Sequence, residues 1–395
     1  MANKRLKIAL VNQRYGLEVN GGSEYYTRQL AEHLKSTVDV EVLTTKALEY
    51  DTWEDYYDKE KEEINGVTVR RFSVKKKRDI WGMRIWGRLQ RYIPFGGEFM
   101  GNKWIEAQGP NSPKLIEYIE KHADTYDVFI FVTYLYYHTV KGIPAVSEKA
   151  ILLPTAHDEP YIYFPIFKKT FTSARALIYL TPEEKNFVES IFDVKEKENC
   201  VTGSGVELPE NIDSEDFRKK YNITEKYIVY VGRIEPSKGC KEMFQIFDEY
   251  KKEHSQDNIK LVLMGKTSMA IPKRDDIVYV GFVSEKDKFN GISGASLLWL
   301  PSKFESLSIA VLEAMALGVP VIVNGKCEVL KGHCERSGAG VYYKERQEAV
   351  NKLNLFMNET NMNVLNEKAK SYVEKNYQWN AIVKKVEQLI LDINK

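Results

Sequence analysis

The chain has 395 residues, of which 43% are hydrophobic, 12% aromatic and 29% charged. This length predicts two domains of moderate size, and the composition excludes disordered, collagen-like and disulfide-stapled proteins. The 57 lysines and arginines and the 56 aspartates and glutamates leave a net charge of +1, so no global field recruits nucleic acid. Four cysteines are too few for a disulfide framework and fit a reducing compartment.

No targeting or membrane-spanning segment is predicted. The first residues, MANKRLKIALVN, contain a strand-length apolar run in place of a signal-peptide core. The most apolar segment, Val128–Tyr137, is far shorter than the roughly 18–20 residues that a spanning helix needs. We therefore expect a cytoplasmic protein.

Short apolar runs alternate with amphipathic helical patterns in the first half of the chain. A helix is predicted over Ser23–Leu34, where Tyr26 and Leu30 lie on one face. Buried strands are predicted at Lys7–Asn12, Val40–Thr44, Asp127–Val132, Ala150–Pro154, Ala176–Leu180 and Asn199–Thr202. This βαβ order predicts a doubly wound α/β domain with a parallel sheet.

The same rhythm restarts after a Gly/Pro-rich break at Gly203–Asn211, which predicts a domain boundary near residue 205. Helices are predicted over Lys241–Lys252 and over Gln378–Lys395. Further strands are predicted at Tyr227–Val231, Lys260–Met264, Ile277–Val280, Ser296–Leu300 and Val319–Asn324. The chain is thus predicted to contain two Rossmann-like domains, residues 1–205 and 206–377.

Residues 53–112 do not follow the βαβ pattern. Within them, Lys75–Arg91 contains seven basic residues against one acidic residue, Asp79, with Trp81 and Trp86 among them. Aromatic side chains interleaved with basic ones suit an anionic membrane surface or an amphiphilic substrate. The alternative is a partly packed insertion whose charges are solvated.

Ligands of open α/β sheets bind at loops beyond the carboxyl ends of the strands, and one such loop is Gly232–Gly239 (GRIEPSKG). Arg233 and Lys238 lie five positions apart across its turn. A guanidinium and an ammonium that converge there can neutralise a diphosphate. The alternative is a surface turn with two solvated cations.

A second loop begins the segment Pro301–Pro320 (PSKFESLSIAVLEAMALGVP). Ser306 or Ser308 is predicted to cap a helix over Ile309–Leu317, whose N-terminus is suited to an anion. Glu305 would lie over the strand end, where a sugar can bind. Glu313 would accept hydrogen bonds from vicinal hydroxyls, or it is a solvated carboxylate on an exposed helix face.

Two further loops lie in the first half of the chain. Asn12–Glu24 contains Gly21 and Gly22, which allow a tight turn or the close approach of a ligand, but it has neither GxGxxG nor GxxxxGK[ST]. Thr155–Pro160 (TAHDEP) places His157 just past a strand end beside two acids, where it can bind a hydroxyl or move a proton. The alternative for this histidine is a structural role.

Metal and nucleophile sites are not predicted. Cys327 and Cys334 enclose His333 but lack a CxxC pair, which argues against zinc. No D-x-D triplet is present to hold a metal-bound nucleotide diphosphate, and no GxSxG motif marks a nucleophilic serine.

In this order and combination, the loops resemble those of family 4 retaining glycosyltransferases of the GT-B fold. The matching elements are GGSE, HDE after a strand, VGRIEPSKG, LVLMG and FESLSIAVLEAMALGVPVIV, in which seven residues separate Glu305 from Glu313. The resemblance spans nearly the whole chain and is more specific in the second half. It implies two Rossmann-like domains with parallel sheets facing across a cleft. The N-terminal domain, residues 1–205, would bind the acceptor, residues 206–377 would bind the donor, and a final helix, 378–395, would pack back on the first domain.

The resemblance also implies a role for each matching residue. Arg233 and Lys238 would hold the donor diphosphate and stabilise the leaving charge, and Glu305 would contact the hydroxyls of the donor sugar. Glu313 would bind the nucleotide ribose, and His157 would lie at the reaction centre. The other donor-site residues that it implies are Gly21 and Gly22 on the floor between the domains, Gly265 and Val283 near the base, and Ser306, Leu307 and Ser308, whose backbone faces the phosphate or the sugar. The family often has glycine where this chain has Ser308, which leaves the donor sugar open.

The activity that the resemblance implies is a retaining, metal-independent transfer of a hexosyl group from a nucleoside-diphosphate sugar. The donor would be a UDP-sugar, with a GDP-sugar as the alternative, and no cofactor is expected. Negative charge that develops on the leaving phosphate would be stabilised by Arg233, Lys238 and the helix dipole. A non-catalytic sugar-nucleotide-binding scaffold is the main alternative, although the intact set of site residues argues against it. A Rossmann oxidoreductase lacks its glycine fingerprint here, and a sugar phosphorylase lacks its cofactor lysine motif.

The expected acceptor is a hydroxyl of a glycan or of a lipid-linked oligosaccharide in cell-surface polysaccharide biosynthesis. The basic aromatic segment, Lys75–Phe95, lies in the half that, by resemblance, binds the acceptor. We therefore expect a membrane-proximal acceptor and peripheral contact with the inner face of an anionic cell membrane. The residues expected to make that contact are Trp81, Arg84, Trp86 and Arg88.

Overall fold

The structure is a computed structural model that describes residues 5–19, 21–92, 97–358 and 362–395. The chain divides into two compact units. The first consists of Met1–Gly203 together with Trp379–Lys395, and the second of Ser204–Gln378.

The first unit is built on an eight-stranded sheet in the order β3-β4-β2-β1-β5-β6-β7-β8. Every pair in it is parallel except β3 with β4, which is antiparallel. The strands are β1 (Lys7–Val11), β2 (Asp39–Thr45), β3 (Lys61–Ile64), β4 (Val67–Phe72), β5 (Val128–Val132), β6 (Ala150–Leu153), β7 (Ala176–Tyr179) and β8 (Glu198–Val201). The three central strands β1, β5 and β6 are almost entirely buried, since helices cover both faces of a doubly wound sheet.

The helices of the first unit include the C-terminal one. They are α1 (Gly22–Leu34), α2 (Ile80–Tyr92), α3 (Gly97–Gln108), α4 (Pro113–Lys121), α5 (Tyr137–Ala145), α6 (Pro165–Ser173), α7 (Pro182–Ile191) and α15 (Trp379–Ile393). Helix α15 packs on this unit because Trp379 stacks on His33 of α1, with ring centroids 4.5 Å apart. The Nζ atom of Lys385 also donates to the carbonyl of Val201 at the end of β8.

The second unit has a six-stranded sheet in the order β11-β10-β9-β12-β13-β14, in which every pair is parallel. Its strands are β9 (Lys226–Val231), β10 (Ile259–Met264), β11 (Ile277–Gly281), β12 (Leu297–Leu300), β13 (Val321–Asn324) and β14 (Gly340–Tyr343). Its helices are α8 (Ser214–Tyr221), α9 (Cys240–Glu253), α10 (Glu285–Ser293), α11 (Ile309–Ala316), α12 (Glu328–Ser337), α13 (Arg346–Met357) and α14 (Met362–Asn376).

Each strand and helix predicted from the sequence is present, with ends that differ by at most two residues. Three strands were not predicted, namely β3, β4 and β14. Two of them lie in residues 53–112, so this segment is not merely an insertion: β4 extends the sheet by pairing in parallel with β2. Strand β4 was not predicted because two consecutive arginines, Arg70 and Arg71, interrupt its apolar alternation.

Candidate functional site

The loop after β9 carries Arg233 and Lys238 at the edge of the second sheet where its parallel strands end. Gly232 has a φ of 149°, and Gly265 after β10 has a φ of 141°. A Cβ atom on Gly265 would lie 2.0 Å from the carbonyl oxygen of Gly232, so the two loops approach as closely as they do only because glycine stands there. The hydroxyl of Tyr230 donates to the carbonyl of Arg233 over 2.6 Å, which fixes the backbone beneath the guanidinium.

Lys238 joins this loop to the loop after β12. Its Nζ atom lies 2.8 Å from Oε1 of Glu305, and both side chains are half-buried. Gly239 allows the contact, because a Cβ atom there would meet the carbonyl oxygen of Pro301 at 2.4 Å. Arg233 is 59% exposed, with its Nη2 atom 3.4 Å from Oε1 of Glu235. The structure thus brings Lys238 and Glu305 together, whereas the guanidinium of Arg233 is mostly exposed and lies beside Glu235.

Ser306, Leu307 and Ser308 lead from Glu305 into helix α11. Ser308 occupies the N-cap position, as one of the two predicted alternatives, but its side chain makes no capping hydrogen bond. Its φ of 69° lies in the left-handed region, which glycine adopts at lower cost.

Glu313 lies on α11 in a buried ion pair. Its Oε1 atom accepts from Nζ of Lys288, 2.7 Å away on α10. Burial raises the pKa of Glu313, and the neighbouring ammonium opposes that shift. Burial tends to lower the pKa of Lys288, but the charges of Glu313 and Glu285 outweigh it and raise the pKa. These contacts exclude the alternative of a solvated carboxylate on an exposed helix face.

Gly265 and Val283 follow the neighbouring strands β10 and β11. The backbone N–H of Gly265 donates to the carbonyl of Gly281 over 2.8 Å, and Val283 lies half-buried two residues further on. Both residues are therefore at the same edge of the second sheet as Arg233, Lys238 and Glu305.

In the first unit, Gly21 and Gly22 stand where the loop after β1 enters α1. Gly21 has a φ of 153°, and a Cβ atom on it would lie 2.1 Å from Oε2 of Glu24. The space around Gly22 is open, with nothing within 4 Å of an added Cβ. The Oε1 atom of Glu24 accepts two hydrogen bonds from the buried guanidinium of Arg14, which holds the loop in place.

His157 lies in the loop after β6, with 29% of its side chain exposed. Its Nε2 atom is 3.6 Å from Oε1 of Glu159, and that oxygen also accepts from the hydroxyl of Tyr134 over 2.6 Å. The buried Glu184 holds the adjacent backbone by accepting from the N–H groups of Ala156, at 2.5 Å, and Leu180, at 2.6 Å. Burial raises the pKa of Glu184 to about 8, although these hydrogen bonds favour the ionised form.

Two threonines near His157 have left-handed backbone. Thr133, directly after β5, has a φ of 68°, and Thr155, after β6, has a φ of 51°. Their hydroxyl groups lie 3.1 Å apart. A positive φ is strained for a β-branched residue, and such strain concentrates at functional sites. The backbone is therefore strained just after β5 and β6, close to His157.

Helix α2 carries the four residues expected at a membrane. Its buried residues are Gly82, Gly87 and Gln90, and Met83 and Trp86 are half-buried against the core. Trp81 is 72% exposed, and the guanidinium of Arg84 lies 5.5 Å from the centre of its ring. Other side chains on the exposed face of α2 are Ile80, Ile85, Arg88, Arg91 and Tyr92.

Trp86 differs from these residues because it is half-buried. It packs against the core of the first unit and makes an edge-to-face contact with Phe99 of α3, with ring centroids 6.0 Å apart. The end of the basic aromatic segment, residues 93–95, lies outside the described residues.

Within residues 5–19, 21–92, 97–358 and 362–395, no group of three or more His, Cys, Asp or Glu side chains could hold a metal ion. In the same part of the chain, no helix has the length and apolar character needed to cross a membrane.

Sequence reasoning missed two side chains that hold these loops, Lys288 and Glu184. Glu184 had a signal, because Thr181 and Glu184 form the T-x-x-E pattern of a capping box, and the N–H of Glu184 does donate to Oγ1 of Thr181 over 3.1 Å. Lys288 had no such signal in the sequence, since its partner Glu313 lies 25 positions away on another helix.

Comparison with known proteins identifies the class to which this architecture belongs. Residues 213–379 match the family model described as glycosyl transferases group 1. An uncharacterized glycosyltransferase of Methanocaldococcus jannaschii is 25% identical over 374 residues, which cover 86% of each chain.

Three solved structures share the architecture of nearly the entire chain. Sucrose-phosphate synthase from Thermosynechococcus elongatus has a TM-score of 0.71 at 18% identity, over 98% of this chain and 99% of that one. HepE of Anabaena in complex with UDP-glucose has a TM-score of 0.69 at 13% identity, over 98% and 100%. WaaG, a glycosyltransferase involved in lipopolysaccharide biosynthesis, has a TM-score of 0.66 at 14% identity, over 97% and 99%.

These likenesses confirm the predicted GT-B fold. The group 1 match and the similarity to a named glycosyltransferase support the prediction that the chain is a glycosyltransferase. Membership of family 4 is narrower and stays a prediction.

Proposed function

We propose that this chain is a retaining, metal-independent glycosyltransferase of family 4. It transfers a hexosyl group from a nucleoside-diphosphate sugar to a hydroxyl of a glycan or lipid-linked oligosaccharide in cell-surface polysaccharide biosynthesis. A UDP-sugar is the proposed donor, in keeping with the UDP-glucose complex of the similar HepE. A GDP-sugar is the alternative.

The observation that carries the proposal is the contact between Lys238 and Glu305. It joins two loops that follow different strands, so a cation that suits a diphosphate and a carboxylate that suits sugar hydroxyls lie 2.8 Å apart. We define the donor loop as residues 305–308. In the proposed complex, Lys238 and the exposed guanidinium of Arg233 bind the diphosphate, and Glu305 binds the donor sugar.

Electrostatic stabilisation accounts for the proposed bond cleavage. As the glycosidic bond to the diphosphate breaks, negative charge grows on the leaving phosphate. Fixed positive charge at that point comes from Lys238 and Arg233, and the N-terminal end of α11 adds its dipole. Removal of one such preorganised group lowers the rate by about 10²–10³-fold. Glu313, paired with Lys288, is proposed to bind the nucleotide ribose beside them.

The first unit is proposed to bind the acceptor. His157 is held by its contact with Glu159 and by the hydrogen bond from the adjacent Ala156 to Glu184, so its imidazole has a defined position after β6. We assign it to the reaction centre, where an imidazole can bind the incoming hydroxyl. Gly21 and Gly22 are proposed to shape the floor of the site, where the open space around Gly22 lets a substrate approach the backbone.

Donor hydrolysis tests the catalytic proposal. The protein is incubated with UDP-glucose or GDP-mannose in EDTA, nucleotide release is measured, and the anomer of the released sugar is identified by NMR. We expect release of one nucleotide with the α-anomer as product, and a loss of about 10²-fold or more in Lys238→Met, while the exposed control Lys241→Met keeps full activity. Nucleotide binding without release would favour a non-catalytic scaffold, and a β-anomer would contradict retention.

We also propose that the exposed face of α2 contacts an anionic membrane on the cytoplasmic side, which brings a lipid-linked acceptor to the first unit. On this face the exposed Trp81 lies among three arginines, Arg84, Arg88 and Arg91. This composition is typical of an interfacial helix, in which aromatic rings enter the headgroup region and cations bind acidic lipids. Binding of the protein to vesicles with and without phosphatidylglycerol tests this contact. Equal binding to both kinds of vesicle, or binding to neither, would contradict it.

A further inference from the structure

A buried chain of hydrogen bonds lies beneath the donor loop. The Nε2 atom of His333, on α12, is 2.7 Å from the carbonyl oxygen of Leu307. Because a carbonyl only accepts, Nε2 carries the proton and Nδ1 is the acceptor. The Nδ1 atom in turn lies 2.9 Å from the hydroxyl of Tyr372 on α14, which is placed to donate to it.

The chain continues away from the donor loop. The hydroxyl of Tyr377 lies 3.0 Å from that of Tyr372, and Nε of Arg336 donates to Tyr372 over 3.2 Å. Tyr377 is itself fixed, since its carbonyl accepts from the N–H of Val206 over 3.1 Å. Nδ1 also lies 3.5 Å from the hydroxyl of Tyr377, so it accepts from one of the two tyrosines, and the neutral His333 has one tautomer, with its proton on Nε2.

The imidazole is fully buried and remains neutral at physiological pH. Burial, helped by the charge of Arg336, lowers the pKa of His333 to about 4. A neutral imidazole donates at Nε2 and accepts at Nδ1, which is the arrangement that both neighbours require. Leu307, whose carbonyl accepts from Nε2, directly precedes the left-handed Ser308, so the hydrogen bond holds the backbone next to a strained residue.

We propose that His333 is a positioning residue for glycosyl transfer, which holds the donor loop through the carbonyl of Leu307 and is itself oriented by Tyr372 and Tyr377. This inference rests on the proposed function, because it concerns how the donor loop is kept in its nucleotide-binding conformation. The imidazole touches neither donor nor acceptor. It acts through the backbone between Glu305 and α11.

Variants at His333 separate this role from general stability. In His333→Gln, the side-chain amide keeps an N–H at the position of Nε2, whereas His333→Leu removes the donor altogether. We expect the affinity for UDP or GDP, measured by calorimetry, to fall about tenfold or more in His333→Leu but less than threefold in His333→Gln. Tyr372→Phe, which frees Nδ1 from its donor, should give an intermediate loss.

Tyr227→Phe is the matched control. It removes another buried tyrosine hydroxyl of the second unit, which donates to the carbonyl of Gly291 over 2.7 Å and does not contact the donor loop. We expect it to lower stability and leave nucleotide affinity unchanged. Equal affinities in wild type, His333→Leu and His333→Gln would overturn the inference alone. If the wild type binds no nucleotide, the proposed function fails, and the inference fails with it.

Discussion

The Nζ atom of Lys238 lies 2.8 Å from Oε1 of Glu305, although 67 positions of sequence separate the two residues. The contact brings the loop after β9 against the loop after β12. In the ligand-free protein the carboxylate neutralises the ammonium that is proposed to bind the donor diphosphate. The two residues should therefore affect nucleotide binding in opposite directions.

Glu305→Gln removes the negative charge beside Lys238 and keeps the size of the side chain. We expect this variant to bind UDP about fivefold more tightly, because a partly exposed ion pair is worth up to about 1 kcal/mol. Its turnover of donor sugar should nevertheless fall, since the contact with the sugar hydroxyls is lost. Lys238→Met should weaken UDP binding. Calorimetry with UDP measures both, and weaker binding by Glu305→Gln would contradict the assignment.

The buried pair of Lys288 and Glu313 should dominate the response of the second unit to mutation. Removing one partner leaves a buried charge without compensation, which costs about 3–5 kcal/mol. We expect Lys288→Met to lower the free energy of unfolding by about that amount. The double variant Lys288→Met/Glu313→Leu should recover more than half of the loss. Urea denaturation of the single and double variants gives the coupling energy, and simple additivity would show that the pair is not coupled.

Ser308→Gly tests the left-handed conformation at the N-cap of α11. Glycine relieves strain of roughly 1 kcal/mol but makes the unfolded chain more flexible, so the free energy of unfolding should change by less than about 1 kcal/mol. Ser308→Val places a β-branched residue at a φ of 69° and should destabilise the protein clearly more. Thermal unfolding distinguishes the two variants. Equal stability of glycine and valine at this position would contradict the conformation.

The free energy of unfolding should depend on pH through the protonation of the buried histidines. Burial lowers the pKa of both His138 and His333 to about 4, below the ordinary value of 6.5. The folded protein therefore binds these protons less readily than the unfolded chain. Their stabilising contribution is complete above pH 6.5 and is lost as the pH falls from 6.5 through 4, by about 3 kcal/mol for each histidine.

Comparing wild type with His333→Gln isolates one of these contributions, because other titrating groups are common to both proteins. Urea unfolding at pH 7, 6, 5 and 4.5 should show a shallower decline in the variant. Parallel pH profiles would mean that His333 is charged in the folded state or accessible to water.

Vesicle binding should distinguish Trp81 from Trp86. Removing Arg84 and Arg88 together should weaken binding to phosphatidylglycerol vesicles about 30-fold, since each interfacial cation contributes about 1 kcal/mol. Trp81→Ala should also weaken binding without changing stability, because the ring is largely exposed. Trp86→Ala should instead lower the thermal unfolding temperature, as this ring packs on the core. Loss of binding only in Trp86→Ala would place the contact elsewhere.

The sequence was most informative where candidate residues follow predicted strands. The proximity of Lys238 and Glu305 could be expected because each follows a predicted strand, and carboxyl ends of parallel strands meet at one edge of a sheet. The strands β1, β5 and β9 were found because their buried positions form continuous apolar runs.

The remaining features depend on tertiary contacts that no local pattern shows. The partner of Glu313 is Lys288 on another helix, and the solvated alternative for Glu313 was excluded only by that contact. Ser308 lacks the capping hydrogen bond expected of a serine at an N-cap because its backbone is left-handed. Trp86 was grouped with Trp81 by sequence proximity, yet five positions along α2 turn it toward the core.

Thermal-shift measurements against UDP, GDP, ADP and their sugar conjugates in EDTA test the central claim most directly. A ligand at 100 times its dissociation constant adds about 2.7 kcal/mol of native-state stability. We predict that one nucleotide and its sugar conjugates raise the unfolding temperature of the wild type but not of Arg233→Ala or Glu313→Ala, while Lys241→Met responds as the wild type does. No response to any nucleotide, or an equal response in all four proteins, would contradict a donor site on these loops.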